Sequence, residues 1–254
     1  MDHHLKSPDE IEKMRSSGRI AKLVIDTVRS AAQPGMTTGE LEDIAVRVIS
    51  DHGATSPCLG YTPPDHPPYP SWSCVCVNDE IVHGIPGSKL LKNGDVVTID
   101  TCVELNGYIA DTAYTFGLGK ISIQADKLLK ITEEALYKGI EKARPGSRFG
   151  DIGYAIQKFV ESHGYSVVRE LHGHGVGYSM HEPDIDVPNY GRPGKGKILE
   201  CGMTFAIEPM VNIGKKDIRV LPDGWTITTA DRSLSAHFEH TVAILPKGVD
   251  ILTE

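Results

Sequence analysis

The chain has 254 residues, 40% hydrophobic and 24% charged, which suits a globular protein of one large or two small domains. Its formal net charge of −8 argues against a nucleic-acid or anionic membrane surface, because both select basic patches. No apolar run approaches the roughly 18 residues that span a bilayer. The N-terminal sequence MDHHLKSPDEIEKM lacks the apolar stretch of a secretory signal, so we expect a cytoplasmic protein.

Four helices are predicted, arranged along the chain as two pairs. Ser7 can cap the first helix, Pro8 suits its first turn, and Glu10 stands three residues after the cap. Pro34-Gly35 stops this helix after a run of apolar residues at helical spacing: Ile11, Met14, Ile20, Leu23, Val24 and Val28. The second helix starts at Thr37 or Thr38 and ends at Gly53, and residues 125–143 and 150–163 are predicted as the second pair.

The two helix pairs resemble each other in sequence. RSAAQPGMTTGELEDIA and IEKARPGSRFGDIGYAI both contain a Pro-Gly joint, and the joints lie about 111 positions apart. β-rich sequence follows each pair. The pattern indicates an internal duplication, with two unrelated helix joints as the alternative.

Between the pairs, residues 61–73 (YTPPDHPPYPSWS) contain five prolines, which exclude a central strand or helix. A rigid surface loop is favoured over a proline-rich docking motif. The strand-like sequence SCVCV follows, with Cys74 and Cys76 on one face. Packing is favoured over metal binding there, because no second Cys or His pair stands at zinc-finger spacing. The five cysteines of the chain are an odd number, which favours a reducing compartment.

A hairpin is predicted from VVTIDTCV at residues 96–103 and YIADTAYTF at residues 108–116, joined through Asn106-Gly107. A turn centred on Asn-Gly makes paired positions sum to 213. Asp100 and Asp111 then lie on the same face as diagonal neighbours, with Cα atoms about 7–8 Å apart. One extra turn residue would place them on opposite faces, and a water-facing pair is the alternative interpretation.

Three further candidate ligands follow. Glu208 ends the alternating strand MTFAIE, and Glu239 shares a face with His237 and Thr241 in the predicted strand AHFEHTVAIL at residues 236–245. His174 lies among the glycines of HGHGVG. A buried carboxylate without a partner loses several kcal/mol of hydration, so such residues require a positive partner. Two divalent metal ions would supply it and would imply hydrolysis.

Seven sequence motifs taken together resemble those of a known family. NDEIVHGIPG, VVTIDTCVELNGYIADTAYTF, HGHGVG, MHEP, TFAIEPM, DGWTITTADRS and SAHFEHTV occur in order. They are similar to the motifs of the type I methionine aminopeptidases, over about residues 8–246. The resemblance implies the α+β "pita-bread" fold, in which two pseudo-symmetric halves clasp a curved antiparallel sheet flanked by helices. We therefore expect a single catalytic domain over residues 1–254, with a short tail at 1–7 and halves at about 8–120 and 121–250.

The resemblance also implies the roles of the site residues. Asp111 and Glu239 would contact both metals or their shared side, Asp100 chiefly one metal, and His174 and Glu208 the other. A water activated by the two metals would attack the bond after an N-terminal methionine, with a small second residue preferred. Glu208 would shuttle the proton, His181 would bind the scissile carbonyl oxygen, and His83 would orient the peptide nitrogen. The methionine side chain would be bound by Cys58, Tyr61, Tyr69 and Trp225.

The chain departs from the family pattern near this pocket. The loop TPPDHPPYP is longer than usual. In MHEP a single glutamate stands between the histidine and the proline, so this motif is one residue shorter than the frequent HEEP form. Met180 stands where an aromatic residue is common, Ala110 replaces a usual glycine, and His237 replaces a usual glutamine. None of these departures removes a predicted ligand, so they affect the shape of the pocket more than the chemistry.

The expected substrates are N-terminal methionine peptides and nascent chains, which the protein would encounter in transient proximity to the ribosome. We expect a monomer that binds neither nucleic acid nor membrane. The oxygen-rich ligand set suits Mn, Fe(II), Co or Mg, and also Zn. Two other functions are weighed against this one. A proline-specific peptidase of the same fold shares the ligand set but usually carries an extra N-terminal domain. A non-catalytic binding protein would be free to lose ligands, whereas all five are present.

Overall fold

The computed structural model describes residues 5–64 and 66–254, so residues 1–4 of the predicted tail and Asp65 of the proline-rich loop lie outside the described residues. The described chain contains four α-helices: α1 (Pro8–Ala31), α2 (Thr38–Asp51), α3 (Ile123–Ile140) and α4 (Phe149–Ser162). The strands of its first half are β1 (Ser73–Val77), β2 (Glu80–Val82), β3 (Val96–Leu105) and β4 (Tyr108–Gly117). Those of its second half are β5 (Ser166–Val167), β6 (His172–Gly175), β7 (Glu182–Pro188), β8 (Thr204–Ile207), β9 (Met210–Asn212), β10 (Ile218–Val220), β11 (Ile227–Thr229), β12 (Ser235–His237), β13 (His240–Leu245) and β14 (Gly248–Ile251).

The first helix pair begins as the sequence predicts. The Ser7 side chain accepts a hydrogen bond from the Glu10 backbone N–H, and the Glu10 carboxylate accepts one from the Ser7 N–H at 2.8 Å. Thr37 and Glu40 form the same reciprocal capping box at the start of α2. These boxes satisfy backbone donors that a helix N-terminus otherwise leaves unpaired, which fixes where each helix begins.

The β3–β4 hairpin has the predicted register. Asn106 and Gly107 both have positive φ, 54° and 81°, as a tight two-residue turn with the twist of a hairpin requires. Asp100 faces Ala113, and Asp111 faces Cys102. The turn contains no extra residue, so the two aspartates lie on one face of the hairpin.

One predicted strand is interrupted, another ends one residue before its predicted end, and a glutamate stands at each of these places. The predicted strand over residues 236–245 is in fact two strands, β12 and β13, with Phe238 and Glu239 between them, so the single-strand prediction was wrong. Likewise β8 ends at Ile207 and β9 starts at Met210, which leaves Glu208 and Pro209 outside the ladder. Glu239 instead pairs with the first half, because its N–H donates to the Ala113 carbonyl at 2.9 Å.

The sheets are antiparallel, and each half of the chain packs its helix pair against its own strands. The strand orders are β1-β3-β4, β10-β11-β2, β12-β9-β5 and β14-β13-β8-β6-β7. One apolar core joins α1 and α2 to β1 and β3, and another joins α3 and α4 to β7, β8 and β13. Within the described part of the chain, none of the helices has the length and apolar character that a membrane crossing requires.

Candidate metal centre and substrate pocket

A cavity of about 490 Å³ lies where strands of the two halves meet. Its wall contains every site residue that the sequence singles out: Asp100, Asp111, His174, Glu208, Glu239, His83, His181, Cys58, Tyr61, Tyr69 and Trp225. These residues come from positions 58 to 239, so the folding of both halves brings them together.

Asp111 lies at the junction between the halves, and its backbone is clamped there. Its N–H donates to the Thr241 hydroxyl at 2.9 Å, and that hydroxyl donates to the Asp111 carbonyl at 2.8 Å. The neighbouring Thr112 hydroxyl donates to the Glu239 carbonyl at 2.7 Å. These threonines take the place of ladder hydrogen bonds and hold Asp111 and Glu239 beside each other.

His174 completes a group of three with these carboxylates. Its Nδ1 lies 3.1 Å from the Gly175 carbonyl, which can only accept, so Nδ1 donates the proton and Nε2 keeps a free lone pair. Nε2 lies 3.8 Å from Asp111 Oδ2 and 3.6 Å from Glu208 Oε1. Asp111, His174 and Glu239 each present a ligand atom, and these atoms all lie within 4.8 Å of one another.

The electrostatics of the cluster disfavour the charged forms of its members. Burial raises the pKa of Asp100, Glu208 and Glu239 well above their usual values, with repulsion from Asp111 as the next cause. Burial also raises the pKa of Asp111 to about 6 and lowers the pKa of His174 to about 3. Four carboxyl groups and a neutral imidazole in one desolvated place form a site that lacks positive charge.

The residues fit a divalent metal on two counts. Asp111 Oδ1 and Glu239 Oε1 are buried and make no hydrogen bond within the described chain, which is rare for buried carboxylate oxygens. The donor set of carboxylate oxygens with one imidazole nitrogen suits Mn, Fe(II), Co, Zn or Mg. A cation in contact with these oxygens would satisfy both of them and offset the repulsion.

The two histidines without a ligand role flank the cluster. His83 follows β2 in the left-handed region, with φ of 59°, a strained conformation that is typical of functional sites. A Cβ on the next residue, Gly84, would lie 2.5 Å from the Val75 carbonyl oxygen, so only glycine allows this turn. Burial lowers the pKa of His83 to about 4. The His181 ring lies 4.1 Å from the His174 ring.

The predicted methionine pocket is lined by aromatic rings and sulfur. The Tyr69 and Trp225 rings meet edge to face at 5.1 Å, and the Trp225 Nε1–H donates to the Pro67 carbonyl at 3.0 Å. Cys58 Sγ lies 3.8 Å from Met180 Sδ. Tyr69, whose place depended on the proline-rich loop, is buried in this wall. The loop therefore forms part of the pocket and is not only a surface feature.

Sequence reasoning missed two features of the cavity. The His66 ring lies 5.1 Å from the Trp225 ring, and its Nδ1 contacts the Gly224 carbonyl at 3.0 Å. Its only sequence signal was a histidine inside the loop that borders the pocket. The second feature is a bulge in β7, where the partner of β6 changes from Asp186 to Glu182 between consecutive residues and Asp184 has φ of 66°. Pro183-Asp184 is a turn signal at this place, but a turn signal alone does not determine that a bulge forms inside a strand.

Comparisons with known proteins identify the family of the chain. The profile of metallopeptidase family M24 matches residues 12–246. A methionine aminopeptidase of Clostridium perfringens is 50% identical over 249 residues and 98% of both chains, and methionine aminopeptidase 1 of Bacillus subtilis is 48% identical over 248 residues and 98% of both chains.

Solved structures are similar to this chain over nearly its whole length. That of the methionine aminopeptidase from Rickettsia prowazekii has a TM-score of 0.95 at 41% identity, covering 98% of this chain and 99% of that one. A prolidase from Pyrococcus furiosus has a TM-score of 0.77 at 21% identity and covers 99% of this chain but 65% of that one, a likeness of fold alone. The predicted pita-bread fold is confirmed.

Proposed function

Because the chain belongs to metallopeptidase family M24 and has the methionine aminopeptidase activity of its relatives, we propose that two divalent metal ions serve this activity. Their ligands would be Asp100, Asp111, His174, Glu208 and Glu239. Membership of the family implies a divalent metal, and its number and identity are the proposed part.

The observation that carries the proposal is the pair of orphaned oxygens, Asp111 Oδ1 and Glu239 Oε1, in one cavity with His174. When bound, the metal ions would polarise the scissile carbonyl and lower the pKa of the attacking water. The carboxylates and His174 would hold them, with the tautomer of His174 fixed by the Gly175 carbonyl.

Glu208 moves the proton in the proposed reaction. The water oxygen adds to the carbonyl carbon of the first residue, and Glu208 accepts the proton that the water loses. The C–N bond then breaks, and Glu208 returns the proton to the leaving amine. Burial raises the pKa of Glu208 in the metal-free cluster, and a bound cation would lower it again, so that the carboxylate could accept the proton.

The two non-ligand histidines bind the peptide bond itself. His181 donates a hydrogen bond to the carbonyl oxygen as negative charge develops on it. His83 orients the peptide nitrogen and assists its departure. His83 and Trp225 rings lie 5.9 Å apart, so this histidine also connects the reacting bond with the methionine pocket.

The methionine side chain occupies the pocket of Cys58, Tyr61, Tyr69 and Trp225. Contacts between a thioether and aromatic rings are favourable, so the three aromatic rings and the Cys58 thiol select an unbranched, polarizable side chain. The proposal includes a preference for a small second residue, which is taken from the family.

The proposal also covers the cellular compartment, the oligomeric state and the domain organisation. We place the protein in the cytoplasm as a monomer of one catalytic domain with two pseudo-repeat halves, acting on nascent chains in transient proximity to the ribosome. All five cysteines are free, which agrees with a reducing compartment. N-terminal methionine peptides as substrates follow from the relatives.

The test is hydrolysis of Met-Ala-Ser before and after removal of metal with a chelator, followed by addition of each candidate metal. We expect activity to disappear and to return with two equivalents of metal per chain, as counted by calorimetric titration. Full activity after exhaustive metal removal would refute the metal mechanism, and saturation at one equivalent would refute the second metal. A graded series of second residues, from Gly to Leu, tests the size preference.

The same assay addresses the proline-specific alternative, which the comparisons do not favour. Cleavage of an Xaa-Pro dipeptide in preference to Met-Ala-Ser would revive it. Failure to bind two equivalents of any divalent metal would revive the binding-protein alternative.

A further inference from the structure

Lys6, in the segment before α1, has a completely buried side chain. Its Nζ lies 2.5 Å from both carboxylate oxygens of Glu182. Its backbone N–H donates to the Gly202 carbonyl at 2.7 Å, and Leu5 forms a bridge with Met203. The segment therefore runs beside the start of β8, and the lysine reaches from there to the residue that follows His181.

Glu182 closes the loop that carries His181. Its Oε1 accepts a hydrogen bond from the Tyr178 N–H at 2.9 Å, which joins the two ends of the loop over residues 178–182. Within the loop, the Ser179 hydroxyl donates to the His181 carbonyl at 3.0 Å. Glu182 is 6% exposed, so its carboxylate is held in a dry place between the loop and the lysine.

The surroundings of the lysine are shaped to admit it. A Cβ on Gly177 would lie 2.5 Å from Lys6 Cε and 3.1 Å from Glu182 Oε1, so a larger residue there would displace the end of the lysine side chain. Lys6 Nζ also lies 4.5 Å from the centre of the Tyr178 ring, within the range of a cation–π contact. The Tyr178 hydroxyl in turn donates to Glu10 of α1 at 2.5 Å.

Among the residues that the structure describes, few contact the His181 side chain. Its side chain is exposed at the cavity, and its ring packs against two other rings, those of His174 at 4.1 Å and Tyr61 at 5.3 Å. The direction of the ring is therefore set mainly by the backbone of the loop. We propose that Lys6 is a positioning residue for His181, because its ammonium fixes Glu182 and thereby the loop that aims the imidazole at the substrate carbonyl. This inference rests on the proposed role of His181.

The test is a double-mutant cycle of Lys6→Met and His181→Ala in the metal-loaded full-length protein, with Met-Ala-Ser as substrate. We expect K6M to lower kcat at least about tenfold, because a misplacement of about 1 Å can cost up to 100-fold. KM should stay within about threefold and metal content should be unchanged. In the H181A background K6M should cost less than about twofold, since the group that it positions is already absent.

Arg15→Met is the matched control, because Arg15 also ties the N-terminal region to a distant carboxylate, Asp250, at 2.5 Å. We expect R15M to keep kcat within about twofold. If K6M does not fold, K6M/E182M replaces the buried pair by apolar residues of similar length. It should fold and show the same loss of kcat, with the same insensitivity to H181A.

The outcomes separate the two proposals. Normal kcat in K6M, or losses that multiply in the H181A background, would overturn the positioning role alone. A kcat loss as large in R15M would assign the effect to general destabilisation and would also overturn it. A wild-type protein that does not cleave Met-Ala-Ser, or an H181A variant with undiminished kcat, would overturn the proposed function and this inference with it.

Discussion

The ligand wall of the cavity and its rim are built in different ways. The ligand wall, defined by Asp100, Asp111, His174, Glu208 and Glu239, consists of strands and strand breaks, and Asp111 and Glu239 are 5% and 2% exposed. The rim, defined by His66 and His181, lies on loops, and both side chains are exposed. The difference shows that the groups with the greatest desolvation cost lie within or between strands, while the groups that we expect to meet the peptide lie on loops.

We expect the ligand wall to reduce the stability of the protein when no metal is bound. Four carboxyl groups with pKa values raised by burial share one cavity, and two of their oxygens lack any partner in the described chain. We expect this arrangement to lower the free energy of unfolding and to favour cation binding, a trade-off that is common at functional sites. The rim carries no such conflict, so its variants should affect catalysis or binding without affecting metal content.

The largest expected effect comes from the ligand wall. Asp111→Asn keeps the shape but removes a charge that would contact the metals. We expect a loss of metal affinity of more than about 100-fold, because even outer partners of metal ligands cost that much, with hydrolysis close to background. Metal titration calorimetry and the Met-Ala-Ser assay measure both effects. We also expect metal-free D111N to melt at a higher temperature than the metal-free wild type, and a lower melting temperature would contradict the cost assigned to the wall.

His181→Ala should show the next largest effect. Loss of a donor to the developing oxyanion lowers kcat by about 100-fold. Metal content, measured by elemental analysis, should equal that of the wild type, since the ring lies outside the ligand set. Loss of metal in this variant would mean that the rim and the wall are not separate and that His181 is a ligand.

Trp225→Leu should have a smaller effect, and on a different quantity. The indole forms edge contacts with Tyr69 and His83, and its loss removes about 1.4 kcal/mol of sulfur–aromatic binding. KM for Met-Ala-Ser should then rise about tenfold with little change in kcat. A norleucine peptide, which lacks the sulfur, is the control. Its KM should differ less between the wild type and W225L than the KM of the methionine peptide does.

His66→Ala should have the smallest effect. The imidazole is exposed and its contact with Trp225 is worth about 0.5 kcal/mol at such a site, which corresponds to a change in KM of about twofold to threefold. Steady-state kinetics with Met-Ala-Ser and Met-Leu-Ser provide the measurement. A change above tenfold, or one confined to the bulkier second residue, would give this loop a direct role in specificity.

Much of the site follows from local sequence patterns. The Asn106-Gly107 turn determines the register of the hairpin and thereby places Asp100 and Asp111 on one face. The caps at Ser7 and Thr37 determine where two helices begin. These features depend on residues that are close in sequence. The types of those residues restrict the local backbone geometry.

Other features could not be predicted in this way. The strand over residues 236–245 was predicted as continuous, because its residues all favour β structure, yet it breaks at Glu239. The break is caused by the opposite half, where Ala113 and Thr112 bond to the backbone of that glutamate. Periodicity within one segment contains no information about a partner more than 120 positions away.

The sequence by itself determined the ligand types, the helix starts, the hairpin register and the resemblance to a metallopeptidase family. Only the tertiary structure decided that His66 supports Trp225, 159 positions away, and that Lys6 fixes Glu182, 176 positions away. The physical reason is that local propensity acts over a few residues, whereas the meeting of two distant side chains depends on how both halves close around the cavity.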